Sequence, residues 1–476
     1  MTTARRIAKN TSVLFIAQIA SYLLGFFITM YTARYLGVAG FGIISLGISI
    51  TAIYGVFADM GLSTLMIRDI SRDKSFTNKY ITNIAVIRVL LVILMIGLVA
   101  ITVNLIGYNQ ITTSVIYLLT LSTIITAFGS ILTSVFQANE KMEYLSINIV
   151  FNSVLMLAGT LIGIFYHLNV IYFASVYVFS SSIILVQTIL IYLWKFSIPK
   201  IEFDKSFWRP KIKEAWPFGI TALFMNIYFL IDSVLLSILV GTTVVGWYSA
   251  AYKLIVVLLF VPIVLNVVTF PVMSKFYVTS RESLRLAYEK YFKYATIIGI
   301  PIGVGTTLLA DRIINLIYGA QFIPSVIALQ ILVWSAVLIF MSSAFARLLE
   351  VTNKQLVLTK ITVFNAIINI ILNILLIPKY SYIAASFVTV LTELSSLLFL
   401  IKVVSSMGYE LSRKELSAIF KVIIASSVMA IFILLLINWN LYLLILASII
   451  IYLVTLFLIK GLDDDDIKII RSILGK

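Results

Sequence analysis

The chain has 476 residues, of which 61% are hydrophobic and 12% are charged, and its formal net charge is +15. A water-soluble protein of this length would be far more polar, so the composition excludes a soluble globular fold. Cysteine is absent and His167 is the single histidine, which excludes disulfides, thiolate chemistry and a histidine metal site.

Apolar segments of membrane-spanning length follow one another from residue 11 to residue 460, separated by short polar loops. A helix needs ~20 apolar residues to cross a bilayer, and runs such as Val89–Ile101 lack the alternation of a barrel strand. We therefore predict an all-α integral membrane protein with fourteen transmembrane helices. The predicted spans are 11–33, 42–66, 81–106, 112–136, 146–166, 170–194, 217–240, 245–273, 291–317, 323–347, 356–377, 382–402, 417–437 and 440–460.

The distribution of basic residues predicts the orientation of these spans. Arg5, Arg6 and Lys9 precede an apolar stretch that is too long for a signal peptide and lacks a cleavage site, so we expect the first helix to be retained. With a cytoplasmic N-terminus, 30 of the 35 Lys and Arg residues fall in cytoplasmic segments and three fall outside. The positive-inside rule therefore predicts a plasma-membrane protein with both termini in the cytoplasm.

The same distribution accounts for the net charge. The basic residues are spread over every predicted cytoplasmic loop, which indicates membrane topology and attraction to anionic inner-leaflet lipid rather than nucleic-acid binding. We interpret the acidic run Asp463–Asp466 as a solvated tail.

The sequence repeats itself weakly. The pattern G-x4-G-x-x-S occurs as Gly37–Ser45 after the first helix and as Gly241–Ser249 after the seventh, at an offset of 204. Val150–Ser153 in helix 5 also matches Val363–Ala366 in helix 11. An offset of six helices preserves orientation, so we predict two parallel repeats, between which transporters commonly place the substrate path.

The repeat also predicts the domains. They are a first lobe of helices 1–6 at 1–195, a cytoplasmic connection at 196–216, a second lobe of helices 7–12 at 217–404, and helices 13–14 with a cytoplasmic tail at 405–476.

Five ionisable residues lie within predicted spans: Asp59, Arg88, Asp232, Lys253 and Glu393. Such residues are costly in a bilayer and normally face a partner or a wet cavity. Each half has an acid and a base at matched depth on consecutive helices. Either the two pairs are structural salt bridges, or the cations bind an anionic headgroup while the acids tune them or couple to an ion. Glu393 is either a protonatable or cation-binding carboxylate or a buried neutral side chain.

Amide side chains recur at helical spacing. Asn148 and Asn152 lie four residues apart on helix 5, and Asn365, Asn369 and Asn373 form a stripe on helix 11. Such stripes bind sugar hydroxyls in a wet cavity or join neighbouring helices. On helix 1, a face that carries Gln18 is a candidate lining of the same path.

Two absences narrow the function. The sequence has no GxxxxGK[ST] pattern, so this chain is not expected to be a nucleotide-driven pump. It also has no large predicted outer loop, whereas a membrane-embedded polymerase or ligase would be expected to carry one with its catalytic residues.

Several stretches resemble a known family. They are Arg34–Gly42, Asp59–Leu62 with Arg68 downstream, Asp232 followed by Gly241 and Gly246–Lys253, Pro271 with Ser274, the asparagine-rich helix 11, and Thr392 with Glu393. In their order and topology, they make the whole chain similar to the polysaccharide transporter (Wzx-like) flippases of the multidrug/oligosaccharidyl-lipid/polysaccharide superfamily.

The resemblance implies two six-helix lobes in a V around a central cavity, with a C-terminal helix pair. The implied substrate is an oligosaccharide on a polyprenyl phosphate or pyrophosphate carrier, moved from the cytoplasmic to the outer leaflet. Arg88 and Lys253 would offset the desolvation of a lipid phosphate. Only these two basic residues lie deep in spans, so a strongly cationic cavity would need Arg34, Arg68 or Arg347 to turn inward.

The leading hypothesis is therefore a lipid-linked oligosaccharide flippase that is not an enzyme. The alternatives are a cation-coupled multidrug-type exporter and a lipid II-type peptidoglycan precursor flippase on the same scaffold. We expect a monomer that binds its lipid-linked substrate and membrane lipid, uses H⁺ or Na⁺ if transport is coupled, and works beside glycosyltransferases or a polymerase. No cofactor and no metal are expected.

Overall fold

The computed structural model of the protein describes residues 3–196, 198–463 and 466. Most of these residues are helical and none lies in a β-strand, which confirms the all-α prediction. The helices are α1 Thr3–Asp59, α2 Leu62–Arg72, α3 Thr77–Ile106, α4 Gln110–Ala138, α5 Met142–Phe165, α6 Val170–Lys195, α7 Trp208–Leu239, α8 Thr242–Leu258, α9 Phe260–Thr279, α10 Arg281–Tyr318, α11 Ser325–Val351, α12 Gln355–Ser406, α13 Arg413–Leu435 and α14 Leu441–Leu458.

Twelve helical stretches of the described residues are long and apolar enough to cross a membrane, which confirms a multi-pass membrane protein. α2 is not among them, and α8 and α9 together form one stretch, Thr242–Thr279. The count of fourteen spans stays a prediction, because α1 and α12 each count once although each contains a break in its backbone.

The chain reverses direction within α12. The amide of Asn365 donates to Ser396 Oγ at 2.6 Å, and Ser395 Oγ donates to Asn365 Oδ1 at 3.0 Å. In one straight helix these residues would lie ~45 Å apart. The break is at Ser381, where φ is 55° and ψ is −141°. The segments on either side are therefore antiparallel neighbours, and they coincide with the predicted spans 356–377 and 382–402.

A glycine breaks α1 in the same way. Gly37 has φ 67° and ψ −177°, a conformation that a residue with a Cβ rarely adopts. The second segment ends at Asp59 because Met60 and Gly61 both have positive φ, 48° and 81°. The predicted span 42–66 is therefore wrong at its end, since residues 62–66 belong to α2.

Packing divides the chain into two compact units, residues 1–249 and 250–476. This boundary lies beyond the predicted connection at 196–216, because α7 and the start of α8 pack with the first unit. The predicted domains follow the sequence repeat instead, and they stay a prediction.

The amphipathic helix α2 supports the core at one end of the first unit. Leu62, Leu65, Met66 and Ile70 are spaced on one helix face, and all four are buried. They pack in one cluster with residues of α3, α4 and α7. The short helix that follows α1 therefore packs against α3, α4 and α7.

In the second unit, α13 and α14 pack on α10. Val422, Ala425, Met429 and Ile433 form the buried face of α13, which lies in one cluster with Ile297 and Leu309 of α10. Beyond α14, Asp463 and Asp466 bind the same helix through ion pairs with Lys290 and Lys293. Lys414 also contacts Asp463 at 2.9 Å.

The interpretation of Asp463–Asp466 as a solvated tail is therefore wrong for its first and last residues, and Asp464 and Asp465 lie outside the described residues. Asp466 is fully buried, and Lys293 is only 4% exposed. Each charge accordingly has a partner of opposite sign, as burial requires.

Asp466→Asn is expected to lower the free energy of unfolding by about 1.5–3 kcal/mol, because buried Lys293 keeps only Asp463 as an acidic partner. Thermal unfolding of the purified protein measures this change. Glu282→Gln, which removes one exposed carboxylate from the first turn of α10, serves as the control. Equal midpoints for the two variants would contradict the structural role of Asp466.

The same network predicts a pH dependence. Burial raises the pKa of Asp463, but hydrogen bonds from Lys290 and Lys414 outweigh it and hold the pKa below its ordinary value. A carboxyl whose pKa is lowered by folding stabilises the fold above the unfolded pKa of about 4. This stabilisation is expected to be complete at neutral pH and to be lost as the pH falls below 4.

Candidate functional site

The first predicted charge pair is formed. Arg88 on α3 donates to the Asp59 carboxylate at the end of α1, to Ser130 Oγ at 2.7 Å and to Ser63 Oγ at 3.1 Å. It also donates to the carbonyl oxygen of Ala127. Arg88 is fully buried, whereas the Asp59 side chain is 31% exposed. The guanidinium is therefore enclosed, and a headgroup would reach it only if this network opened.

The acid of the second predicted pair is also enclosed. Asp232 on α7 is 2% exposed, and its Oδ2 accepts a hydrogen bond of 2.7 Å from Tyr248 Oη on α8. Tyr248 is 1% exposed. This bond links the two helices on either side of Gly241.

Lys253 on α8 differs from Arg88. It is half-buried, and its Nζ makes no hydrogen bond or ion pair with the described residues of its own unit. An ammonium group within a membrane-length helix normally pairs with an acid or faces a wet cavity. Of the two basic residues deep in predicted spans, Lys253 is therefore the one without a recorded partner among the described residues of its own unit.

One asparagine of the stripe, Asn365, joins the two segments of α12. Asn365, Asn369 and Asn373 are each at most 1% exposed. Asn365 bonds to Ser395 and Ser396, as described above, and Asn373 Nδ2 donates to Asn369 Oδ1 at 3.0 Å. None of the three amides has a solvent-facing surface, and the choice between helix packing and sugar binding stays a prediction. Glu393, in the second segment of α12, is also buried, with 6% of its surface exposed.

Gln18 and Asn152 lie on helices that the structure brings together. Ser21 Oγ on α1 and Ser153 Oγ on α5 are 2.8 Å apart. Asn152 is exposed and its Oδ1 accepts from Ser180 Oγ at 2.7 Å, while Gln18 is half-buried. Arg34 is exposed near the break in α1. These three side chains therefore have accessible surface in the first unit.

The two copies of the G-x4-G-x-x-S pattern pack against each other. A methyl group on Gly42 would overlap the carbonyl oxygen of Thr242, and one on Gly246 would overlap the carbonyl oxygen of Val38. Gly42 corresponds to Gly246, and Val38 to Thr242, at the offset of 204. The contact is therefore reciprocal, and it requires glycine at both positions.

The backbone just after α1 and the backbone of α7 also come into close contact, at the other end of the same α1 segment. A methyl group on Gly219 of α7 would lie 2.8 Å from the carbonyl carbon of Met60, and one on Gly61 would lie 2.6 Å from the carbonyl oxygen of Ala215. Gly42 and Gly61 are separated by ~28 Å of helix, close to the ~30 Å thickness of a hydrocarbon core. α1 thus meets residues 215–249 near both ends of one membrane crossing.

Sequence reasoning missed the partners of the singled-out residues. Ser63, Ser130, Ser395 and Ser396 complete the hydrogen bonds of Arg88 and Asn365. Gly219 is a further close-contact position. A small residue in an apolar helix is the only sign of such a role, and most small residues in membrane helices share it.

An ion-pair cluster holds the start of α7 to α2. Lys211 Nζ contacts Asp69 at 2.7 Å and Glu214 at 3.0 Å, and Arg68 contacts both carboxylates. Burial raises the pKa of Asp69, but hydrogen bonds from Lys211, Tyr80 and Arg68 outweigh it and hold the pKa at about 2. Asp69 is thus ionised at neutral pH, and Arg68 is occupied by acids rather than free for an anion.

Two family models match the chain. The model of the polysaccharide biosynthesis protein family matches residues 7–277, and the MatE model matches residues 217–375. The first match covers more than half of the chain and includes both copies of the glycine pattern.

Relatives and solved structures agree with these matches. The chain is 24% identical over 412 residues to the capsular polysaccharide biosynthesis protein CapF of Staphylococcus aureus, covering 82% of this chain and 97% of CapF. It is 27% identical over 228 residues to the uncharacterized membrane protein MJ1068 of Methanocaldococcus jannaschii, covering 45% of each, so it spans less than half of that relative. The structure of the lipid II flippase MurJ, in an inward closed conformation, matches with a TM-score of 0.78 and 19% identity.

The MurJ match covers 94% of this chain and 99% of MurJ, and it shows that the two proteins share a fold. The twelve membrane-length helices of the described residues make the chain a multi-pass membrane protein, and the two family models place it among transporter families. It belongs to the polysaccharide biosynthesis protein family, a family of flippases within the multidrug/oligosaccharidyl-lipid/polysaccharide superfamily.

Proposed function

We propose that the chain flips an oligosaccharide linked to a polyprenyl phosphate or pyrophosphate from the cytoplasmic to the outer leaflet of the plasma membrane. The glycan would then enter the synthesis of a surface polysaccharide by glycosyltransferases or a polymerase. Both termini would lie in the cytoplasm, as the distribution of Lys and Arg predicts. The similarity to CapF over nearly its whole length supports this cargo class.

The observation that carries the proposal is that Lys253 lies within a membrane-length helix without a recorded acidic partner among the described residues of its own unit. A lipid phosphate loses its hydration when it leaves the headgroup layer, and an ammonium group within the membrane offsets that loss. A cationic drug exporter would instead need an acid that is open to the drug, and Asp59 is bound by Arg88.

The proposed transport mechanism is alternating access, in which the path opens to one side of the membrane at a time. The close contacts of Gly42 with Thr242 and of Gly219 with Met60 lie near opposite ends of one crossing. We propose that each contact closes one side of the transport path and that the two open in turn. Asp232 or Glu393 would bind the coupling H⁺ or Na⁺ if transport is coupled, since both carboxyls lie within spans. Gln18, Arg34 and Asn152 would contact the sugar.

Lys253→Gln tests the proposal. This change keeps a polar side chain of similar length and removes the charge, so the inserted protein is expected to lose most of its transport of lipid-linked glycan, at least ~10-fold. The measurement is the fraction of lipid-linked oligosaccharide that reaches the outer leaflet of proteoliposomes, where an added glycosidase cleaves it.

Lys360→Gln, which removes an exposed lysine from the same unit, is the matched control and should transport at the parent rate. A parent protein that exports small cations but leaves the glycan protected would overturn the proposed cargo. Undiminished glycan transport by Lys253→Gln would remove the proposed role of this residue.

A further inference from the structure

The start of α7 carries two parallel stripes on one accessible side. Lys205, in the turn that leads into the helix, Arg209 and Lys213 are spaced four residues apart, as are Trp208, Ile212 and Trp216. Residues at this spacing lie on one helix face. All six line one open cleft of about 550 Å³. A basic stripe therefore runs beside an aromatic and aliphatic stripe.

On the opposite side of the same helical turns, the side chains are buried or held in ion pairs. Phe207, Ala215 and Gly219 are buried, and Lys211 is held by Asp69 and Glu214. By contrast, Lys205, Arg209 and Lys213 form no ion pair among the residues that the structure describes, and all three are exposed. One side of α7 therefore has balanced charges, and the other presents three uncompensated cations.

A buried asparagine fixes this part of α7. Asn83 on α3 is fully buried. Its Nδ2 donates to the carbonyl oxygen of Glu202 at 2.8 Å, and its Oδ1 accepts from the N–H of Asp204 at 3.0 Å and from Trp208 Nε1 at 2.9 Å. The segment before α7 and the first tryptophan of the stripe are thus held in place, so the accessible side is presented in one orientation.

The stripes lie where the helix enters its apolar part. α7 continues without a break from Trp216 into its membrane-length portion. From Trp208 to Trp216 the helix rises ~12 Å, and tryptophan is typical of the membrane–water interface. Trp216 is 50% exposed and Ile212 is 40% exposed, surfaces that would be unfavourable in water. This composition is typical of a surface at the level of the lipid headgroups.

We propose that this side of α7 docks the headgroups of anionic phospholipids in the leaflet at the start of the helix. Lys205, Arg209 and Lys213 bind the phosphates, and Ile212 and Trp216 pack against the upper acyl chains. Three cations spread over ~12 Å match several neighbouring headgroups better than the single phosphate group of one carrier lipid. The surface is also an open helix face rather than an enclosed pocket.

Quenching of tryptophan by brominated lipids tests this assignment. The full chain is placed in nanodiscs with a small share of brominated phosphatidylglycerol or brominated phosphatidylcholine, and the parent minus Trp216→Phe difference isolates the Trp216 signal. We expect at least ~10-fold preference for phosphatidylglycerol in the parent, since each basic residue near an anionic surface adds several-fold. The preference should disappear in the triple variant Lys205→Gln/Arg209→Gln/Lys213→Gln.

The triple variant Lys74→Gln/Lys354→Gln/Lys360→Gln, which removes three exposed lysines elsewhere, should keep the parent preference. In the parent protein itself, high salt should abolish the preference, because exposed cations are screened. Equal quenching by both lipids in the parent, or a preference that survives the first triple variant, would overturn the proposal. Displacement by trace polyprenyl phosphate would also overturn it and assign the surface to the carrier lipid.

Discussion

Asp59→Ala is expected to lower the free energy of unfolding by about 3–5 kcal/mol, because it leaves a buried arginine without its counter-charge. Arg88 is fully buried, and it donates to Asp59, Ser63 and Ser130. The hydroxyls and the Ala127 carbonyl oxygen would still accept hydrogen bonds but carry no charge. Denaturation of the purified protein in mild detergent, followed by circular dichroism, measures the loss.

The double variant Asp59→Ala/Arg88→Met separates structure from transport. Replacing a buried ion pair by apolar residues of similar volume is often neutral or stabilising, so the double variant should regain most of the stability lost by Asp59→Ala. If it also transports glycan, the pair serves the fold. A stable double variant without transport would show instead that the pair takes part in the transport cycle.

Gly246→Ala is expected to reduce transport strongly while the protein still inserts. A Cβ at this position would overlap the carbonyl oxygen of Val38, which is backbone and cannot rotate away. Overpacking of this kind costs about 1–3 kcal/mol. It would lower the population of the closed contact by roughly 5- to 150-fold. Gly42→Ala should act alike, since its methyl group would overlap Thr242.

Gly97→Ala is the matched control, because a methyl group on Gly97 meets no atom within 4 Å. The chain has no cysteine, so a single Val245→Cys substitution provides a clean probe of the contact. Val245 is fully buried, and a water-soluble maleimide should label it faster when Gly42→Ala is also present. Parent-like labelling and transport in Gly42→Ala would contradict a gating role for this contact.

Much of the first unit could be predicted because its features repeat locally in the sequence. Apolar run length indicates membrane helices, and an acid and a base at matched depth on consecutive helices predict the Asp59–Arg88 pair. The glycine pattern could be found as a repeat, but periodicity does not say which surfaces meet. That its copies contact each other follows only from the packing of α1 against α7 and α8.

The misjudged acidic run shows the limit of local reasoning. Four consecutive aspartates near the end of a chain are typical of a solvated tail. Lys293, which pairs with Asp463 and Asp466, lies 170 residues earlier than Asp463. Nothing in the spacing of either segment connects them. Likewise, the sequence places Lys253 and Arg88 in one class, and only packing shows that Arg88 is enclosed by acceptors while Lys253 has no recorded partner among the described residues of its own unit.

The reciprocal contact of Gly42 with Thr242 and of Gly246 with Val38 has the form of an isologous interface, in which the same patch occurs on both partners. Exchanging the two segments leaves the contact unchanged, as it would in a homodimer with two-fold symmetry. A half-length chain that carried this patch would therefore present a surface for pairing with its own copy, and joining two such chains would need to add only the connection.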